Sequence, residues 1–216
     1  MKTTLSAALL ILTFAISSAG QGNCARHLET AGGLSFCPPE GWIELKKAED
    51  KYSQFLGPAQ EGFTANLNIK DEINTTPLTD LVAASVKQII LPGSAEKLGV
   101  TSVSLVNQSE FITASSQRGF KVTFRVELKG WIIRTVQYYF DAAGDKKFVL
   151  TFTSLEAQNA KLDPVCDDSA KTFRLEKHVD LMQGTGPEKG RLATDNLHQD
   201  LMRNLNIMVS GRSDIL

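Results

Sequence analysis

The segment spanning residues 118–154 constrains the fold more than any other, because it predicts three consecutive antiparallel strands. Apolar side chains alternate with polar ones over residues 121–128, which is typical of a strand with one buried and one wet face. A tight Lys-Gly turn leads into residues 131–140, rich in β-branched and aromatic side chains, and a Gly-containing turn leads into residues 148–153. The pattern predicts a β-meander, which is a scaffold and specifies no chemistry.

Shorter strands and one helix are predicted before the meander. Alternating or apolar segments predict strands at residues 34–37, 42–46, 52–56 and 63–69, the third closed by Gly57-Pro58, and one or two edge strands between Val100 and Ala114. Thr76 is a good N-cap and Pro77 suits a first helical position, so a helix is expected from there to Leu91.

A second helix is expected after the meander, beginning at Asp163-Pro164 and running towards Leu175. Val165, Cys166, Ser169, Ala170 and Phe173 are expected on or near its inner side. Antiparallel strands with segregated helices predict an α+β sandwich.

The first nineteen residues have the pattern of a secretory signal peptide. Lys2 provides the positive charge, residues 5–16 form an apolar stretch too short to span a bilayer, and small residues offer cleavage near Ala19. A lipoprotein modification at Cys24 is disfavoured, because residues 21–23 lack the apolar-then-small pattern. The sequence therefore predicts a periplasmic or secreted protein with one main domain over residues 20–177.

Charge and hydropathy exclude several classes of function. The net charge of −1 becomes −2 once Lys2 is removed, so no basic excess points to nucleic acid. No later apolar stretch is long enough for a membrane span. No cofactor is expected, and the oligomeric state is left open.

Three cysteines remain after the predicted cleavage: Cys24, Cys37 and Cys166. An oxidising compartment favours one disulfide, and the short separation favours Cys24–Cys37, with Cys37–Cys166 as the rival pairing. Cys166 would then be a free cysteine on the apolar side of its helix, either buried and inert or a reactive thiol.

Residues 178–216 are predicted to be a linker and a short C-terminal helix. Glycines and a proline mark the linker, and the helix would carry an apolar stripe of Leu197, Leu201, Met202, Leu205 and Met208. Such a stripe can dock on the domain, bind a partner helix, or fray.

Several of these segments together resemble the PsbP/DcrB-like superfamily. The segment 36–42, Phe-Cys-Pro-Pro-Glu-Gly-Trp, resembles the family's opening strand, and residues 63–69 resemble its next strand. Residues 148–154 are similar to its last strand, and Thr172-Phe173 stands where a Ser-Phe pair usually closes the final helix. The resemblance covers about residues 34–176. It implies an α/β/α sandwich with a central antiparallel β-sheet flanked by helices, and an accessory or binding role.

No catalytic or metal-binding motif emerges from the sequence. His27, His178 and His198 lack spaced partners, so surface histidines are expected. The carboxylates of Asp163, Asp167 and Asp168 are interpreted as offsetting a helix dipole rather than binding a cation, and Asp141 and Asp145 as flanking an ordinary turn. Arg134 is interpreted either as an anion-binding residue or as a residue on the wet face of its strand. Trp42 and Trp131 are interpreted either as a binding surface or as residues that pack in the core or at an edge.

The expected function is a non-catalytic accessory or binding protein of the bacterial cell envelope, with a protein partner. One alternative is a hydrolase whose catalytic groups are dispersed along the chain. Another is an assembly subunit that docks through the apolar stripe of its C-terminal helix.

Overall fold

The computed structural model describes residues 24–46, 50–91 and 99–176. They contain ten strands and two helices: β1 His27–Glu29, β2 Leu34–Phe36, β3 Ile43–Leu45, β4 Gln54–Gln60, β5 Phe63–Ile73, α1 Leu78–Ile89, β6 Val100–Ile112, β7 Arg118–Leu128, β8 Trp131–Asp141, β9 Lys146–Leu155, α2 Asn159–Lys171 and β10 Arg174–Leu175.

The strands form one large and one small antiparallel sheet. The large sheet has seven strands in the order β3-β4-β5-β9-β8-β7-β6, and the small sheet has the order β1-β2-β10. β6 to β9 are neighbours in chain order, whereas β5 pairs with β9 across the intervening α1 and meander. The small sheet brings the first and last described strands to either side of β2.

Two apolar cores lie on opposite faces of the large sheet. On one face α1 buries Leu81, Val82 and Ile89 against side chains of β7 and β8 such as Phe124. On the other face, α2 and the small sheet pack on a second set that includes Phe36, Phe140, Leu150, Phe152, Cys166 and Phe173. The architecture is the predicted α+β sandwich, with helices on both sides of a central antiparallel sheet.

The predicted meander is β7, β8 and β9. Leu128 pairs directly with Trp131, so a two-residue turn joins β7 to β8. Lys129 and Gly130 both have positive φ, at 48° and 84°, which matches the twist of the flanking strands. The segment from Val100 to Ala114 contains a single strand, β6, at the edge of the large sheet.

β4 differs from its prediction at both ends. It starts at Gln54 rather than Tyr52, and it continues through Gly57-Pro58 to Gln60. The pairing with β5 shifts register between Leu56 and Ala59, so an irregularity absorbs the proline that cannot donate to the ladder.

Both helices begin at other residues than the sequence predicts. α1 begins at Leu78, and Pro77 is its N-cap residue. Thr76 provides no cap, and the Thr76 backbone N–H donates to Asn74 Oδ1 at 2.9 Å. α2 begins at Asn159 after a 3₁₀ turn at Glu156–Gln158, so Pro164 lies inside the helix. α2 also ends at Lys171, before Leu175, which lies in β10.

Candidate functional site

A cleft of about 820 Å³ lies between the small sheet and the β3–β4 edge of the large sheet. Its walls come from the segment before β1, from the loop between β2 and β3, and from β3 and β4. The lining side chains are Cys24, Arg26, His27, Pro38, Pro39, Glu40, Trp42, Glu44 and Phe55. One wall is therefore aromatic and proline-rich, and the other carries both signs of charge.

Trp42 forms the aromatic wall of the cleft. Its indole packs edge-on against Phe152, with ring centroids 6.2 Å apart, and lies over Gly57 in β4. A Cβ atom at position 57 would fall 2.5 Å from Cε2 of the indole, so the indole can pack here only because residue 57 is glycine. Trp42 stays only partly buried, which leaves part of the ring available to a ligand.

His27 joins the small sheet to β3. Its Nε2 lies 3.0 Å from Glu29 Oε1, and its Nδ1 lies 3.5 Å from Glu44 Oε2. The ring also makes edge-to-face contacts with Phe36 and Phe55, at centroid distances of 5.7 and 5.0 Å. The prediction of a surface histidine is wrong for His27, because only 15% of its side chain is exposed. The ring contacts two carboxylates and two aromatic rings.

Glu29 is the buried member of this group, with 1% of its side chain exposed. Its Oε1 accepts a 2.6 Å hydrogen bond from the Ser53 backbone N–H, and its Oε2 lies 3.5 Å from Lys46 Nζ. Burial acts to raise the pKa of Glu29, but the hydrogen bonds from Ser53 and His27 outweigh it and hold the pKa below the ordinary value of 4.5. The carboxylate is therefore kept charged inside the fold.

These groups form a clamp rather than a catalytic pair. A general base needs a free ring nitrogen, and both nitrogens of His27 face carboxylates. The Ser53 hydroxyl donates to Glu44 Oε1 at 2.5 Å and not to His27, so these residues do not form the Ser–His pair of a serine hydrolase. What the arrangement can do is hold β1, β3 and the start of β4 in fixed positions around the cleft.

Cys24 and Cys37 lie at disulfide distance, with Cα atoms 5.8 Å apart, and Cys24 lines the rim of the cleft. Cys166 is free and buried in α2. Burial raises the pKa of the Cys166 thiol, since it disfavours the thiolate. This environment is that of an inert core cysteine.

The three aspartates near Pro164 have individual partners. Asp163 Oδ2 lies 2.7 Å from Arg134 Nη2, Asp167 Oδ1 lies 2.6 Å from Lys121 Nζ, and Asp168 pairs with Lys171. Their interpretation as dipole-offsetting carboxylates is wrong, because α2 begins at Asn159 and they lie beyond its first turn. Arg134 also contacts Glu156 Oε1 at 3.4 Å, so two carboxylates of the fold neutralise its charge. Both predictions for Arg134, anion binding and a position on the wet face, are therefore wrong.

The two tryptophans do not share a surface. Trp42 packs on the α2 side of the large sheet, whereas Trp131 packs on the α1 side near Phe63, at a centroid distance of 6.4 Å. Asp141 and Asp145 flank the turn between β8 and β9, and Asp141 pairs with Lys147 at 2.5 Å. His178, His198 and the stripe Leu197, Leu201, Met202, Leu205 and Met208 lie outside the described residues.

Within the described ranges, no three His, Cys, Asp or Glu side chains are grouped as a metal site requires. None of the helices in the same ranges has the length and apolar character needed to cross a membrane. A second cleft of about 370 Å³ lies where the start of α1 meets the end of β6 and the start of β7, and Ile112, Arg118 and Phe120 are among its lining residues.

The sequence contains one signal for the clamp. His27 and Glu29 stand two residues apart, so in a strand they share a face. Their partners Glu44 and Ser53 come from β3 and the segment before β4, which only the three-dimensional packing brings near. Composition and local spacing therefore do not predict that Glu44 and Ser53 contact His27 and Glu29.

Comparison with known proteins defines the fold. No family model matches the chain, and no curated protein matches it. Among solved structures, however, the sandwich of a large antiparallel sheet with helices on both faces is the PsbP-like fold.

The solution structure of cyanobacterial PsbP (CyanoP) from Synechocystis sp. PCC 6803 is similar over 74% of this chain and 98% of that chain, with a TM-score of 0.53 and 17% identity. The Ran-binding protein Mog1p of Saccharomyces cerevisiae matches over 71% and 95%, with a TM-score of 0.47 and 12% identity. LpqN of Mycobacterium tuberculosis, involved in cell envelope biogenesis, matches over 73% and 88%, with a TM-score of 0.45 and 11% identity. At 17% identity, the likeness to cyanobacterial PsbP establishes the fold alone.

Proposed function

We propose that this chain is a non-catalytic, exported binding or accessory protein of the bacterial cell envelope, and that it binds its partner in the cleft beside Trp42. The observation that carries the proposal is the state of the polar groups at the cleft. His27, Glu29 and Ser53 are engaged with one another or with Glu44, which suits a rigid recognition surface better than a reaction centre.

The shape and lining of the cleft support a binding role. A partly exposed indole next to two prolines and Phe55 offers apolar contact area, and tryptophan is enriched among the residues that dominate binding energy. Arg26 and Glu40 at the same cleft provide charged groups for specificity. The partner that fits is a protein segment with an apolar side chain flanked by polar groups.

Export is supported by two features of the sequence and structure. The signal-like pattern of residues 1–19 predicts secretion, and a cysteine pair at disulfide distance is typical of proteins from oxidising compartments. The location in the periplasm or outside the cell is part of this proposal.

The test is affinity capture from the organism's own envelope extract with the processed wild-type protein, a Trp42→Ala variant and a Trp131→Ala variant. Both variants remove a partly buried indole, but Trp131 lies on the opposite face of the sheet. We expect a specific partner that Trp131→Ala retains and Trp42→Ala loses. Equal capture by both variants would contradict binding in the cleft.

A truncation after Lys177 separates this proposal from docking through the predicted C-terminal stripe. We expect the truncated chain to keep the partner, whereas loss on truncation with retention by Trp42→Ala would favour the assembly subunit. Turnover of any substrate that disappears in a His27→Gln variant would instead favour the dispersed hydrolase.

A further inference from the structure

α1 covers only part of its face of the large sheet. The seven strands span about 29 Å at a spacing of about 4.8 Å, whereas a helix with its side chains is about 10–12 Å wide. α1 packs on β7 and β8, and it is the one helix that the described residues place on this face. The middle of β5 and the strands β4 and β3 therefore lie beside α1 rather than beneath it.

One row of paired residues crosses this face outward from α1. It runs from β8 to the edge strand β3 through Thr135, Thr153, Asn66, Leu56 and Ile43. Asn66 stands two strands from β8, about 10 Å away, which exceeds the radius of about 5–6 Å of a helix with its side chains. Asn66 is nevertheless only 1% exposed, whereas Ile43 is 70% exposed. The burial of Asn66 therefore requires a second element beside α1.

The row is polar at its centre and apolar at its outer end. Thr135 and Thr153 are almost completely buried, and their Oγ1 atoms have no hydrogen-bond partner among the described residues. Ile43 and Leu45 share this face of β3, since side chains alternate along a strand and Glu44 between them contacts His27 on the other face. The element that fits this surface is amphipathic, with an apolar stripe that includes a polar side chain.

The segment that follows Glu176 can supply this element. Residues 47–49 and 92–98 also lie outside the described ranges, but they are too short for a helix of three turns. The segment before Cys24 consists largely of the predicted signal peptide. The predicted linker, residues 178–194, spans up to about 55 Å when extended, which is enough to pass from the small sheet to the opposite face.

The predicted C-terminal helix has the matching pattern. Four of its residues are spaced by four, three and four positions and so share one helix face: Leu197, Leu201, Asn204 and Met208. Asn204 thus falls inside the apolar stripe, where its amide can both donate to and accept from a hydroxyl group. A single polar residue within an apolar stripe specifies the register of helix packing.

We propose that residues 195–208 form a helix that packs beside α1 over β9 and β5, with Asn204 against the two buried threonines and the apolar stripe reaching the β4–β3 edge. A helix placed there lies about 10 Å from α1, which is an ordinary distance between packed helices. The chain thereby covers its own sheet, and the stripe is not open to a partner. The cleft beside Trp42 lies on the α2 face and stays free.

The first test is a cross-link within the processed chain in a Cys166→Ala background. Leu205→Cys, at the border of the stripe, is combined with Ile43→Cys and treated with a short bifunctional thiol reagent. The matched control combines Leu205→Cys with Ile132→Cys, because Ile132 is also exposed but shares the α2 face with Arg134. Peptide mapping by mass spectrometry is expected to find a link within one chain for the first pair and not for the second.

The second test compares two aspartate substitutions in the predicted helix. Leu201→Asp places a charge against the sheet, so it is expected to lower the melting temperature by about 4 °C or more. Asn206→Asp places the same charge on the opposite helix face, and it is expected to lower the melting temperature by less than about 1 °C.

Equal linking of both cysteine pairs would overturn the proposal, as would links that form only between different chains. Equal melting temperatures of Leu201→Asp and Asn206→Asp would overturn it as well. If Leu201→Asp failed to fold, the cross-link would decide, because Leu205→Cys changes only the border of the stripe. None of these results bears on partner capture through Trp42, which packs on the opposite face of the sheet.

Discussion

Glu29 shows how a single buried carboxylate organises the cleft. It is almost completely enclosed, yet its two oxygens contact the Ser53 backbone, His27 and Lys46. Replacing the carboxylate by an amide removes the charge and one of the two acceptor oxygens, and hydrogen bonds to charged groups contribute more than neutral ones. The clamp therefore depends on Glu29 more than on the half-exposed Glu44.

We expect Glu29→Gln to lower the free energy of unfolding by about 2 kcal/mol at neutral pH. The pKa of Glu29 is lower in the folded protein than the ordinary 4.5, so the folded state binds this proton less readily than the unfolded state. Its contribution is fully present above pH 4.5 and is lost as the pH falls through the lowered pKa. Urea unfolding of both proteins across this pH range measures the difference.

Glu44→Gln is the control for this prediction, since it makes the same change on the other side of His27. The Glu44 side chain is 44% exposed, so we expect a loss of less than about 1 kcal/mol. A gap between wild type and Glu29→Gln that persists unchanged into acid would show that the charge of Glu29 is not what stabilises the clamp.

At the scale of elements, α2 is attached to the meander by ion pairs as well as by apolar contacts. Arg134 on β8 reaches Asp163, and Lys121 on β7 reaches Asp167, which also accepts a hydrogen bond from Tyr138 at 2.5 Å. The Tyr138 hydroxyl is buried against this carboxylate, and burial followed by the Asp167 contact raises its pKa. These contacts fix the rotation of α2 over the sheet.

A double-mutant cycle with Arg134→Ala and Asp163→Ala is expected to give a coupling energy of about 1 to 2 kcal/mol. The two side chains are 14% and 25% exposed, so solvent screens them weakly. The matched cycle on Lys171 and Asp168, exposed by 54% and 77%, should give less than about 0.5 kcal/mol. Equal coupling in the two cycles would contradict the assignment of Arg134 as an anchor of α2.

The elements that the sequence predicts well are those whose signal is purely local. Alternation and turn residues suffice for β7, β8 and β9, because neighbouring strands joined by short turns need no distant information. The sequence predicts the wrong start for α2, because Asp163-Pro164 has the residue types of a helix N-terminus whereas α2 begins at Asn159. Pro164 has no N–H to donate to the carbonyl of Ala160, but both residues are exposed, so water can donate to that carbonyl instead. The helix therefore continues through Pro164.

For the molecule as a whole, the cysteine pair ties the segment before β1 to the end of β2. We expect peptide mapping without reductant to find Cys24 bonded to Cys37 and Cys166 as a free thiol. The closed loop is short, with a sequence separation of 13, so reduction should lower the free energy of unfolding by about 3 kcal/mol.

Two variants distinguish this pairing from the alternative. Cys166→Ala should lose the same stability on reduction as the wild type, because the bridge does not involve it. Cys24→Ser combined with Cys37→Ser should show no response to reductant. If Cys166→Ala abolished the response, the bridge would include Cys166 instead.

The small sheet has a consequence for how the chain acquires its structure. β2 lies between β1, which precedes it directly, and β10, which follows it by about 140 residues. The small sheet is therefore complete only when β10, at Arg174–Leu175, has been made and pairs with β2. In a chain that emerges N-terminus first, one edge of β2 therefore stays without its partner strand until residues 174–175 have emerged.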